Sequence, residues 1–178
     1  RQDVLGALRE MHMTAMRYPG GNFASGYHWM DGVGPKDQRP TVRELAWQSI
    51  ETNQFGTDEY IKMARMMDWT PMITVNLGTG TPEEARNWVE YCNSPVGTRF
   101  ADLRAKNGSE APHGVKLWSL GNEMDGLWQL GHVPADQYAI LAQQAAKLMK
   151  DTDPSIETVA CGSCTIKMPT YMDWDRTV

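Results

Sequence analysis

Short apolar segments, each long enough for one strand, alternate along this chain with stretches of helical periodicity. That alternation limits its fold more than any other feature. Strands are expected near residues 13–18, 71–77, 115–120 and 157–161, each closed by Pro, Gly or a short polar residue. A loop rich in Gly, Asp and Pro runs from Pro19 to Pro40, and a helical stretch carrying Leu45, Trp47 and Ile50 follows it. Thr57 is placed to cap the next helix, with Tyr60, Ala64 and Met67 on one face. Thr81-Pro82-Glu83-Glu84 combines a capping box with Pro at the first helical position. Ala85, Trp88, Val89 and Cys92 then form a buried stripe. Residues 93–114 read as a loop. A helix from about Pro134 to Lys150 turns Tyr138, Leu141, Ala142, Ala145, Leu148 and Met149 inward, until Asp153-Pro154 breaks it.

Alternating strands and helices imply a parallel sheet joined by right-handed crossovers. A doubly wound open sheet shares the pattern, but no Gly-x-Gly-x-x-Gly turn follows any strand, so a dinucleotide site has no support. Four strand–helix units make half of a (β/α)8 TIM barrel, which takes about 250 residues. Four units alone leave two unpaired sheet edges, a liability for a finished domain. The expected class is therefore α/β: an incomplete (β/α)8 barrel of about four units. Residues 1–178 are expected to be a partial catalytic barrel domain truncated at both ends. Val4-Leu5-Gly6-Ala7-Leu8 reads as the tail of a helix already under way, and Asp175-Arg176-Thr177-Val178 carries no terminal signal.

Composition removes several classes of function. A net charge of -5 over 178 residues argues against a nucleic-acid surface. No apolar run approaches the roughly 18 residues that a membrane helix needs. Cys92, Cys161 and Cys164 form no disulfide framework. Cys161-Gly162-Ser163-Cys164 follows an apolar run instead of opening a helix, which disfavours a redox dithiol. His12, His28, His113 and His132 show no metal spacing, so no metal or cofactor is expected. Reduced cysteines suit a cytoplasmic protein. Of the seven Trp, most are expected in the core, and the remainder suit a cleft for flat sugar faces.

The chemistry-bearing residues gather at the strand ends. Arg17-Tyr18-Pro19-Gly20-Gly21-Asn22, Asn76-Leu77-Gly78-Thr79-Gly80, Gly121-Asn122-Glu123 and Cys161-Gly162-Ser163 each follow a strand. In a parallel barrel those ends converge on the face that carries catalysis. Asn22, Asn76, Asn122 and Glu123 are thereby brought to one pocket. A carboxyl group there can donate a proton, and the adjacent amide can hold a substrate hydroxyl. That combination suits a sugar-processing site.

Four segments carry a resemblance. Arg17-Tyr18-Pro19-Gly20-Gly21-Asn22-Phe23, Glu51-Thr52-Asn53-Gln54-Phe55-Gly56, Val75-Asn76-Leu77-Gly78-Thr79-Gly80-Thr81 and Leu120-Gly121-Asn122-Glu123-Met124-Asp125-Gly126 resemble, in order, the α-L-arabinofuranosidases of glycoside hydrolase family 51. The resemblance implies a retaining glycosidase that releases terminal non-reducing α-L-arabinofuranosyl residues from oligo- and polysaccharides, hemicellulose and pectin fragments among them. It implies Glu123 as general acid/base, Asn122 on the sugar 2-hydroxyl, Asn22 on a further hydroxyl and Trp47 beside the cleft entrance. It also implies a parent that forms homo-oligomers and a nucleophilic carboxylate on a later strand, outside this chain. Asp125 is read as a loop residue, and the isolated chain is expected to be inactive. Two alternatives stay open: a same-clan glycosidase with another sugar specificity, and a non-catalytic sugar-binding or assembly fragment.

Overall fold

The computed structural model describes residues 2–178. Its framework is a four-stranded, all-parallel sheet of β1 (Ala15–Tyr18), β4 (Thr70–Val75), β5 (Leu117–Leu120) and β6 (Glu157–Ala160), in the order β1-β4-β5-β6. The expected strands are thus present within a few residues. Spatial order follows chain order, as it does in a (β/α)8 barrel, and the sheet is an incomplete barrel wall. The crossovers are α2 (Thr57–Met67), α3 (Pro82–Asn93) with α4 (Arg99–Lys106), and α5 (Ala135–Thr152); α1 (Gln2–Glu10) and α6 (Asp173–Thr177) flank them.

Strand register shows which face the helices cover. Tyr18, Ile73, Trp118 and Thr158 are aligned neighbours, and Val75 and Leu120 lie two residues further along on the same side. Against that face Tyr60 of α2 stacks on Tyr18, with 4.8 Å between ring centroids. Its hydroxyl also donates to Met16 O and accepts the Met72 N–H at 2.9 Å, tying β1 to β4. Trp88 of α3 meets Trp118 edge-on, and the Tyr138 hydroxyl of α5 donates to Leu120 O at 2.8 Å. The core is unusually aromatic: Trp29, Trp69, Trp88, Trp118 and Trp174 are buried, whereas Trp47 and Trp128 are exposed. The opposite face bears Arg17, Thr74, Ser119 and Val159, and Val159 is exposed there.

The helix caps follow local chemistry. Thr81 Oγ1 accepts the Glu84 N–H at 3.0 Å, as the capping box requires, but the Glu84 carboxylate pairs with His28 Nδ1. The stripe Ala85, Trp88, Val89 and Cys92 is buried throughout. The cap of α2 is Gly56, whose N–H donates to Glu59 Oε2 at 2.9 Å. Thr57 lies inside the helix and accepts from Trp88 Nε1.

Beyond the cap of α2, three expectations are corrected. The stretch carrying Leu45, Trp47 and Ile50 is an antiparallel hairpin of β2 (Val42–Glu44) and β3 (Ser49–Glu51), not a helix. Its turn is organised by the Glu44 carboxylate, which accepts the N–H groups of Ala46 and Trp47 at 2.6 and 2.7 Å, and Gln48 is left-handed with φ 53°. Leu45, Trp47 and Ile50 are all exposed, so no buried stripe existed to hold a helix. The segment 93–114 contains α4, whose buried Arg104 donates to the carbonyls of Tyr91, Ser94, Ser109 and Glu110. Leu148 is exposed, unlike the rest of the inward set on α5. Asp125 lies in the turn after β5, as expected, and serves there as an anchor described below.

Candidate active site

Asn122 and Glu123 follow β5 after a single residue, Gly121, where the backbone reverses hand. Gly121 has φ +85° and Glu123 φ 46°, so both neighbours of Asn122 are left-handed. A Cβ at Gly121 would lie 3.0 Å from Met124 Cγ, so the position needs glycine for its space as well as its conformation. The left-handed Glu123 is unusual for a side chain with a Cβ. It is held because Glu123 O accepts the Gly126 N–H at 2.8 Å while the next residue, Met124, is fully buried. The turn directs Asn122 and Glu123 to different partners.

Asn122, 6% exposed, faces β1. Its Oδ1 accepts from Arg17 Nη1 and Nη2 at 3.2 and 3.1 Å, and its Nδ2 donates to Asn22 Oδ1 at 3.2 Å. A guanidinium has no acceptor, so it dictates which end of the amide faces it. Arg17 Nη1 also donates to Thr74 Oγ1 at 3.3 Å. The ends of β1, β4 and β5 are thereby linked through one cation. Glu123 is half-buried, and its Oε2 accepts the indole N–H of Trp128 at 2.9 Å.

The supporting loops pack backbone to backbone. Thr79 N–H donates to Ser25 O at 3.0 Å, and a Cβ at Gly131 (φ +68°) would lie 2.2 Å from Gly78 O. Gln129 hydrogen-bonds Ser25 Oγ from the segment after β5. Asp125 is buried behind the site and ties that segment to the one after β6. It accepts from Ser163 Oγ at 2.7 Å, Thr170 Oγ1 at 3.0 Å and the Cys164 N–H at 3.2 Å. Burial pushes its pKa up, but the bonds from Cys164, Ser163 and Thr170 outweigh this and hold it below the ordinary carboxylate value.

Asn22, Asn122 and Glu123 therefore share the carboxyl-end face. Asn76 sits on it as well, but its amide closes its own turn: Oδ1 accepts from the Gly78 and Thr79 N–H groups, and Nδ2 donates to Tyr27 O. Trp47 lies at the hairpin, 67% exposed; among the described residues no hydrogen bond or ring contact joins it to the other three. A separate cavity of about 180 Å³ between the hairpin and the segment after β1 is lined by Phe23, Tyr27, Glu44, Glu51 and Asn53, among others. Among the described residues no cluster of three or more His, Cys, Asp or Glu could hold a metal. All three cysteines are free thiols.

The family model described as the "Alpha-L-arabinofuranosidase 1 domain" matches residues 7–177. The chain belongs to the family 51 α-L-arabinofuranosidases. It is 52% identical over 178 residues to an intracellular exo-α-(1→5)-L-arabinofuranosidase of Bacillus subtilis, covering all of this chain and 36% of that protein. The solved family 51 α-L-arabinofuranosidase of Bifidobacterium longum superposes with a TM-score of 0.98 at 44% identity, over 100% of this chain and 35% of that one. The Thermotoga maritima α-L-arabinofuranosidase, solved as an arabinose complex, gives a TM-score of 0.89 at 52% identity, over 91% of this chain and 34% of that one. The chain thus spans about a third of the length of these relatives.

In this family 51 barrel segment, two site residues escaped sequence reasoning. Arg17 stood inside a recognised segment, but a lone basic residue near the end of a strand gives no sign that it reaches across β4 to an amide beyond β5. Trp128 lies five residues beyond Glu123 in a segment without periodicity. The available signal was Gly126: a Cβ there would fall 2.8 Å from Trp128 Cε2, so glycine at that position opens the path for the indole.

Proposed function

We propose that the full-length protein carrying this chain is a retaining α-L-arabinofuranosidase of the cell interior. It removes terminal non-reducing arabinofuranosyl residues from arabinose-containing oligo- and polysaccharides. The observation that carries this reading is the adjacent pair Asn122–Glu123 at the carboxyl end of β5, with the Asn122 amide orientation dictated by Arg17. Family membership and intracellular relatives such as the Bacillus subtilis protein support it.

In this account Glu123 acts twice. Its protonated carboxyl gives a proton to the departing glycosidic oxygen as a second carboxylate attacks the anomeric carbon and forms the glycosyl-enzyme. The resulting Glu123 carboxylate then removes a proton from water, which displaces the enzyme carboxylate and leaves Glu123 protonated again. Asn122 Nδ2 has two hydrogens. One serves Asn22, and the other is assigned to the sugar 2-hydroxyl, a contact that strengthens in the transition state. Asn22 takes a further sugar hydroxyl, and the exposed Trp47 indole borders the cleft entrance. The nucleophile is assigned to a later barrel strand, outside this chain. Asp125 is a poor candidate for it, because three donors already hold its carboxylate. The 178 residues alone are therefore expected to hydrolyse nothing.

The test is Glu123→Ala in the full-length protein. Cleavage of arabinofuranosides with poor leaving groups should fall about 10²–10⁴-fold, the usual contribution of general acid catalysis. Activated aryl arabinofuranosides should lose much less in the first step, and added azide should restore their turnover by replacing the base-assisted water. Equal losses on every leaving group, with no azide rescue, would refute the assignment.

A further inference from the structure

The parallel ladder between β5 and β6 is interrupted at its last step by a side chain. Glu157 N–H donates directly to Lys116 O at 2.8 Å, and the same offset further along would join Cys161 N–H to Leu120 O. Instead the hydroxyl of Tyr138, a fully buried residue of α5, stands between them. It accepts the Cys161 N–H at 2.7 Å and donates to Leu120 O at 2.8 Å. Tyr60 of α2 acts in the same way between β1 and β4. There Thr70 N–H donates to Thr14 O at 2.8 Å, whereas the Met72 N–H and Met16 O meet through the Tyr60 hydroxyl. The two wedges differ in place. Tyr60 acts within the strands, but Tyr138 acts at the last residue of β5, next to the left-handed Gly121 and three residues before Glu123.

The wedge at β5 is itself fixed. Tyr138 stacks on Trp174 of α6, with 5.0 Å between ring centroids, and Trp174 Nε1 donates to Cys161 O at 2.8 Å. The Cys161 thiol takes the second lone pair of Leu120 O, at 3.5 Å. Burial pushes its pKa up. The Tyr138 hydroxyl, the backbone N–H groups of Met124 and Glu123 and the charge of Arg17 oppose this only in part, so the thiol keeps its proton at neutral pH. It therefore donates to the end of β5 while its sulfur faces the N–H groups of Glu123 and Met124. One side chain from α5 and one from the end of β6 hold the backbone before and after Asn122.

We propose, building on the assignment of Glu123 as acid/base, that Tyr138 and Cys161 are positioning residues for it. The hydroxyl sets how far the end of β5 stands from β6, and the thiol holds the following turn at that spacing. Together they fix the direction in which the Glu123 carboxyl meets the scissile bond. A displaced carboxyl delivers its proton less well, and the loss grows with the leaving group's need for that proton.

The experiment compares Tyr138→Phe, Cys161→Ala and Cys161→Ser with Tyr60→Phe and Glu123→Ala in the full-length protein. It reads kcat/KM on arabinofuranosides with poor and with activated leaving groups, and thermal melting checks folding. Tyr138→Phe keeps the ring but removes the wedge, so the ladder is free to close. It should lower kcat/KM on the poor leaving groups about 10–100-fold, the cost of a misplaced catalytic group, and much less on the activated ones. Cys161→Ala should show a loss with the same dependence, and Cys161→Ser, which restores a donor and an acceptor, should recover part of it. Tyr60→Phe removes the same kind of wedge away from the strand ends, and should lower the melting temperature without any dependence on the leaving group. Wild-type kinetics, or equal losses on all leaving groups, in folded Tyr138→Phe or Cys161→Ala would overturn the proposal. So would the same leaving-group dependence in Tyr60→Phe, which would mark a general loosening of the sheet. If Tyr138→Phe does not fold, the two Cys161 variants decide by the same criteria. Each of these outcomes leaves Glu123 as acid/base as long as Glu123→Ala keeps its leaving-group dependence. If Glu123→Ala shows none, the assignment of Glu123 fails and this proposal falls with it.

Discussion

Arg17 shows how one residue can fix the orientation of another. Both terminal nitrogens of the guanidinium converge on Asn122 Oδ1, so the amide must present Nδ2 away from β1's cation, toward Asn22 and the open side of the site. Met is close to Arg in length but donates no hydrogen bond, and without the donor pair the amide is free to turn over. Arg17→Met in the full-length protein is expected to lower kcat/KM on arabinofuranosides by about 10–100-fold, the range of a lost hydrogen bond between charged and polar groups. Arg17→Lys supplies a single point donor in place of the fork, and should recover only part of the loss. Steady-state kinetics of both variants check this. Unchanged kinetics in Arg17→Met would show that Asn122 needs no external orientation.

At the scale of elements, the segments following β5 and β6 are joined by Asp125. Its depressed pKa sets the direction of a pH effect. A carboxyl whose folded pKa is below its unfolded value, about 3.9, stabilises the fold above that value, and the contribution is lost as pH falls through the folded pKa. Asp125→Asn should therefore destabilise the full-length protein at neutral pH, by about 1–3 kcal/mol in urea unfolding, and the difference from wild type should shrink below about pH 4. A pH-independent difference would mean that the ionised form is not what the three donors recognise. This anchor also marks the limit of what sequence could show. The strands, the buried stripe of α3 and the cap at Thr81 were legible because each is encoded within a few adjacent residues. The β2–β3 hairpin was not, because its apolar Leu45, Trp47 and Ile50 are exposed and its turn depends on Glu44 accepting two backbone N–H groups. Helix α4 was hidden for the opposite reason: buried Arg104 reads as a surface charge until its four carbonyl partners are seen. In the site, Asn122 and Glu123 were legible from one tetrapeptide. Arg17 is 105 residues from Asn122 in sequence, so their contact exists only once β1, β4 and β5 are aligned.

For the whole molecule, the central feature is the asymmetry of the sheet. One face is covered by α2, α3 and α5, with an aromatic core behind it. The other presents Arg17, Thr74, Ser119 and Val159, and among the described residues no strand pairs with the outer edges of β1 and β6. This is the wall of an incomplete barrel, with the proposed acid/base and the proposed sugar-binding amides at the strand ends and the second carboxylate assigned to another strand. The most direct measurement is a crystal structure of the full-length protein with Glu123→Gln, bound to an uncleaved arabino-oligosaccharide. The account predicts that the side chain at position 123 lies within about 3 Å of the glycosidic oxygen, with Asn122 Nδ2 on the 2-hydroxyl. It also predicts a second carboxylate, from a later strand, about 5–5.5 Å from the side chain at position 123. A sugar bound away from the carboxyl ends of β1 and β5, or a position-123 side chain turned from the scissile bond, would contradict it.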